Sequence, residues 1–186
     1  MSHAALALLV LNFIFIGVLP RIFFRSDGTF NLRWWATAAP FFIAPTALVL
    51  GHFGYLSPIF YEGAMTRELI AVVLSTCSIG LIGLTIGTNR VPLALWHQEN
   101  DAPKGVVTYG AYRYVRHPFY CSFLLGMLAA FLLFPHWMTL GLVLYMFIGL
   151  NVTAAREEKR LAASEFGKEY QSYLTRTGRF FPKILG

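Results

Sequence analysis

The chain has 186 residues, of which 56% are hydrophobic and only 13% charged, with a formal net charge of +6. Soluble domains carry about 25% charged residues and set their apolar ones in amphipathic periods. Here the apolar residues fall in long uncharged blocks, which excludes an ordinary soluble domain and predicts an all-α, polytopic membrane bundle of about five helices.

The positive charge then reads as topology and lipid contact. The aromatic residues lie inside the apolar blocks and not among basic residues as stacking platforms, so no nucleic-acid partner is expected. Cys77 and Cys121 both fall in predicted spans and form neither a CxxC nor a Cys/His pattern. Apolar packing is expected of both, and no disulfide or metal site.

The N-terminus has no basic region and no small-residue cleavage site, so the first apolar run reads as a retained span over 4–19, with Asn12 as its one strongly polar member. A basic loop with Arg21, Arg25 and Arg33 follows, and Trp34 and Trp35 mark an interface. The second span, 35–56, contains Pro40 and Pro45, which membrane helices tolerate when neighbours satisfy the freed carbonyls. The third, 69–88, is uncharged and rich in small residues suited to close helix packing. A polar segment, 89–116, leads to the fourth span, 117–134. Pro135-His136 turns the chain into the fifth, 137–152, whose helix should run on into the polar segment 153–186. His52, His97 and His136 sit near predicted interfaces and read as structural, and Asn12 and Asn151 as helix-to-helix bonds.

With five spans, Arg21, Arg25, Arg33, Arg90, Lys104, Arg113, Arg116 and all the basic residues after Val152 share one side, and Arg67 stands alone on the other. The positive-inside rule then places the N-terminus outside and the C-terminus in the cytoplasm.

Two clusters meet on that cytoplasmic face. The first runs from Thr108 to Tyr120 and packs two arginines, a histidine and four tyrosines ahead of an apolar run. Pro118 holds His117 extended and suits the first turn of a helix, whose free N–H groups favour an anionic or oxygen-rich ligand. The second holds Glu157-Glu158, Phe166-Gly167, Tyr170, Tyr173 and Arg179-Phe180-Phe181-Pro182. Taken by residue type alone, the two fit either an interfacial anchor on lipid phosphates or a ligand site.

In this order the elements resemble the isoprenylcysteine carboxyl methyltransferase and phospholipid methyltransferase superfamily, over roughly the C-terminal half. The chain departs from the usual family pattern at Ala111, where a proline is common, and at Ser122, where a glycine is. The resemblance implies a single integral-membrane domain that transfers a methyl group from S-adenosyl-L-methionine to a lipophilic acceptor. It implies a cofactor site of Tyr112, Tyr114, Val115, Arg116, His117, Pro118, Tyr120, Glu157, Glu158 and Tyr170, with Arg179 near the acceptor; Arg179 and His117 are the candidate catalytic residues. The residue types suit that chemistry. Arg116 and a helix N-terminus suit the cofactor's carboxylate, Glu157 or Glu158 its ammonium or hydroxyls, and tyrosine faces its sulfonium. A carboxylate or thiolate acceptor needs no base, whereas a neutral amine does, and His117 is the candidate. One of Glu157 and Glu158 is expected at the cofactor and the other beside Lys159 or Arg160.

Membrane sterol reductases that use a nicotinamide cofactor share the R-H-P-x-Y element. They resemble one another further in an acidic-Cys-Lys-Tyr-Gly run, and here no cysteine follows Cys121. A non-catalytic scaffold or transport subunit is the other alternative, but no inverted repeat and no mid-span charge marks an ion path. The acceptor is left open between isoprenylated cysteine, a phospholipid amine, a small thiol and a quinone-like compound. The oligomeric state is not encoded in any feature of the sequence.

Overall fold

The computed structural model describes residues 1–17, 24, 27–88 and 106–183. Arg21, Arg25, Arg90, His97 and Lys104, most of the polar segment before residue 106, and the side chain of Arg33 lie outside the described residues. The elements are α1 (His3–Gly17), α2 (Leu32–His52), α3 (Ala64–Thr88), a 3-10 turn (Gly110–Arg113), α4 (Pro118–Leu133), α5 (Trp137–Ala162) and α6 (Gly167–Arg176). Among the described residues there is no strand, only two isolated bridges, Phe24 with Phe30 and Val115 with Gly178.

Three stretches are long and apolar enough to cross a bilayer: Trp34–His52, Ala64–Thr88 and Trp137–Ala162, of 19, 25 and 26 residues. Helices α1 and α4 are apolar but shorter, at 15 and 16 residues. The chain is therefore an all-helical membrane bundle. Helix α3 starts before the apolar run does, just past Gly63 at φ 63°, and takes Arg67 and Glu68 into its opening turns. Helix α5 does continue past Val152, but it stops at Ala162, and a short turn separates it from α6.

Helix α4 is apolar all round, and such a helix must be enclosed by others. It packs against α1, α2, α3 and α5, and buries residues on every side from Pro118 to Leu133. Phe123 is the largest fully buried side chain, edge-on to Phe41 of α2 at 5.1 Å. Asn12 behaves as the sequence suggests. Its amide donates to Ser75 Oγ at 3.2 Å and accepts from Ser78 Oγ at 3.3 Å, tying α1 to α3. Ser78 Oγ lies closer still to the Ser122 carbonyl of α4, at 2.7 Å, so its single proton is shared between the two acceptors.

Helix α2 runs unbroken through Pro40 and Pro45. Pro40 has no N–H for the carbonyl of Ala36, and the Tyr145 hydroxyl of α5 donates to that carbonyl instead, at 2.9 Å. Cys121 is buried as expected, but Cys77 is exposed on the outer face of α3.

The two ends of the bundle differ. At one end the Ser2 N–H meets Glu68, His3 meets His52, and Arg67 donates to carbonyls of its own loop and to Leu132. Helices α1 and α3 start there, and α2 and α4 finish there. His136 serves structure at that end. Its ring accepts from the Met138 N–H at 3.1 Å and caps α5. The opposite end carries the 3-10 turn, the start of α4, the end of α5, α6 and the tail, and with them Arg113, Arg116 and the C-terminal basic residues.

Candidate active site

At that basic end, Gly110 lets the chain return closely to α3. Its φ is +60°, and an added Cβ would strike Thr88, the last residue of α3. The 3-10 turn follows and delivers Val115, Arg116 and His117 alongside the C-terminal tail. Val115 bridges to Gly178 in parallel, the Arg116 N–H donates to Gly178 O at 2.9 Å, and the His117 N–H to Arg179 O at 3.2 Å. The Tyr173 hydroxyl of α6 donates to the Tyr112 carbonyl, and Cys121 Sγ to Phe180 O at 3.1 Å. The tail is thus bonded by backbone to the segment that opens α4. Pro118 then starts α4, where a proline costs no hydrogen bond.

Helix α5 supplies the acidic pair from the other side. Consecutive helical residues point about 100° apart, so the two carboxylates face different partners. Glu158 turns inward, with its side chain 10% exposed, and accepts from Arg116 Nε at 2.9 Å. Arg179 reaches it twice, Nε to Oε1 at 3.1 Å and NH2 to Oε2 at 2.6 Å. His117 Nε2 lies 3.3 Å from the same Oε1. Arg116 also donates to the Thr177 carbonyl.

Glu157 points sideways and keeps 36% of its side chain exposed. It accepts from the Tyr120 hydroxyl at 2.7 Å and faces His117 Nδ1 at 3.5 Å. Its bonds therefore go to Tyr120 and His117, where the sequence suggested that one acid of the pair would turn to Lys159 or Arg160. The rings of His117 and Tyr120 lie parallel, 5.2 Å apart.

The hydrogen bonds to Glu158 hold the Arg179 guanidinium above its ordinary pKa, so it stays cationic. Burial pushes the Tyr170 hydroxyl well up and the Tyr173 hydroxyl up to about 12, so both remain neutral.

Of the residues singled out in the sequence, the structure gathers Arg116, His117, Tyr120, Glu157, Glu158 and Arg179 into one connected network. Tyr170 is buried beside it on α6, and Tyr112 and Val115 join through their backbones. Tyr114 is 60% exposed and points away. Sequence reasoning missed two members. Asn151, read as a helix-to-helix bond, instead accepts from Arg179 NH1 at 2.6 Å. Gly178 admits the tail because an added Cβ would collide with the Phe181 carbonyl. The seven-residue spacing of Asn151 and Glu158, two helical turns, was the available signal for the first.

Fold and site together define a helical membrane protein with a charged, tyrosine-rich cluster at one end of its bundle. The model of the isoprenylcysteine carboxyl methyltransferase (ICMT) family matches residues 98–163. That segment holds the arginine-histidine-proline element and both glutamates, and ends before α6 and Arg179. The match supports the resemblance seen in the sequence, and with it the general class of membrane methyltransferase. No curated protein matches the chain.

Proposed function

We propose that this protein is an S-adenosylmethionine-dependent methyltransferase acting on a lipophilic or amphipathic acceptor at the cytoplasmic face of the membrane. The observation that carries the reading is the convergence of Arg116, His117 and Tyr120, at the start of α4, with Glu157 and Glu158 of α5, 37 to 42 residues away in the chain, on one polar site at the basic end of an apolar bundle.

The donor set fits the cofactor. The positive end of the α4 dipole and the Arg116 guanidinium lie side by side, which together suit a carboxylate. Glu157, partly exposed, suits an ammonium or ribose hydroxyls, and the Tyr120 and Tyr112 rings suit a sulfonium. When bound, S-adenosylmethionine supplies an activated methyl group. The protein's part is alignment and exclusion of water, which the buried pairing of Arg116 with Glu158 serves by fixing the walls of the site.

His117 sits between the two glutamates. For a carboxylate or thiolate acceptor it has only to orient Glu157. For a neutral amine it is the group placed to accept the proton. Arg179 has five N–H donors and spends three on Glu158 and Asn151. With its side chain 29% exposed, the others are available to an acidic head group, as on an isoprenylated cysteine.

The basic residues at the site end favour the cytoplasm for that end, with all five apolar helices crossing and the N-terminus outside. Calorimetric titration of the purified protein with S-adenosylhomocysteine, and separately with NADPH, tests the function. Binding of the first alone is expected. Binding of NADPH alone would replace this reading with a reductase.

A further inference from the structure

Asn151 belongs to none of the elements that carry the family resemblance, yet it completes the coordination of Arg179. It lies on α5 two helical turns before Glu158, so both side chains leave the same face. Between them Ala154 is fully buried and keeps that face low. The guanidinium of Arg179 lies across it. One edge, Nε and NH2, is paired with both oxygens of Glu158, and NH1 on the far edge donates to Asn151 Oδ1 at 2.6 Å.

The chemistry of the two partners differs. Glu158 is one carboxylate shared by two guanidiniums, Arg116 and Arg179. The other carboxylate of the cluster, Glu157, bonds to Tyr120 and faces His117 and not Arg179, so the outer guanidinium keeps positive charge. An amide oxygen at residue 151 fixes the orientation of that guanidinium but adds no second negative charge. A carboxylate in the same place would fix it equally well and neutralise it.

We propose that Asn151 is a positioning residue that aims Arg179 at an anionic acceptor group while leaving its charge unspent. This rests on the acceptor role given to Arg179 above. Two substitutions separate orientation from charge. Asn151→Leu removes the hydrogen bond, and Asn151→Asp keeps it and adds a charge.

The acceptor probe is N-acetyl-S-farnesyl cysteine, a prenylated cysteine with a free carboxylate, and the cofactor-site probe is S-adenosylhomocysteine. Hydrogen exchange at the Arg116 and His117 amides reports whether the tail stays bonded to them. Asn151→Asp is expected to keep wild-type exchange and S-adenosylhomocysteine affinity but to raise KM for the probe about tenfold, or ~1.4 kcal/mol. Asn151→Leu is expected to speed exchange as well as raise KM. A wild-type KM in Asn151→Asp would overturn the proposal, because orientation alone would then account for Asn151. Unchanged exchange in Asn151→Leu would overturn it too. A wild-type protein inert toward the probe, with faster exchange in Asn151→Leu only, would refute the acceptor role of Arg179 while supporting the positioning.

Discussion

Glu158 and Arg179 stand 21 residues apart in the chain and meet side-on, with Arg179 Nε and NH2 each donating to a different oxygen of the carboxylate. A bidentate pair of this kind fixes direction as well as distance. Arg116 adds a third donor to the same carboxylate, so one acidic residue on α5 holds both the segment that opens α4 and the C-terminal tail. Losing a single partner from so enclosed a group leaves a charge without its counterpart, which costs more than the pair contributes.

Arg116→Ala and Glu158→Ala are each expected to weaken S-adenosylhomocysteine binding by roughly 1.5–3 kcal/mol, one to two decades in affinity. The Arg116 side chain is only 11% exposed, so water cannot replace it. Calorimetry on both variants checks this, and unchanged affinity in both would leave the cluster as an interfacial anchor.

Much of this arrangement was legible in the sequence, for physical reasons. Uncharged blocks of bilayer length announce a helical bundle, and Pro118 announces the start of α4. The gathering of Arg116, His117, Glu157 and Glu158 could be anticipated only through the family resemblance, because their pairing spans 40 to 42 residues and no local period encodes it. The partner of Asn151 was not legible. An asparagine in the middle of a helix bonds whatever lies opposite, and what lies opposite is a tail returning from Gly178. The outward turn of Tyr114 was equally hidden, since a 3-10 turn sets side-chain directions that neither helical nor strand spacing anticipates.

Topology has its own check. If all five apolar helices cross the membrane, reporter fusions placed after Arg67 and after Gly186 should fall on opposite sides. Signals from the same side would reject the five-span arrangement, and with it the shared cytoplasmic face of the two clusters.

Gly110 and Gly80 give a paired test of the turn that delivers the site. Gly110→Ala forces a side chain into a left-handed backbone and against Thr88, and roughly 1–2 kcal/mol for the backbone with ~1–3 kcal/mol for overpacking is expected. Gly80, inside α3, has open space where its Cβ would sit. Gly80→Ala should therefore be neutral or stabilising by up to about 1 kcal/mol. Thermal unfolding of both variants in the same detergent measures the contrast. Equal melting temperatures would mean that Gly110 does not constrain the site.

Arg179→Lys tests the acceptor end of the site. A lysine keeps the charge but gathers its donors on one nitrogen, so it cannot bridge both oxygens of Glu158 and reach Asn151 as well. Cofactor affinity should be nearly intact, because Arg116, His117 and Tyr120 reach the glutamates without Arg179. Turnover should fall by about tenfold or more, since the head group of the acceptor would lose its fixed guanidinium plane. The measurement is methyl transfer and S-adenosylhomocysteine affinity in one preparation, with melting temperature alongside. If turnover alone drops, Arg179 acts on the acceptor. If all three drop together, Arg179 serves only to tie the tail to α5, and the acceptor must be oriented by another group.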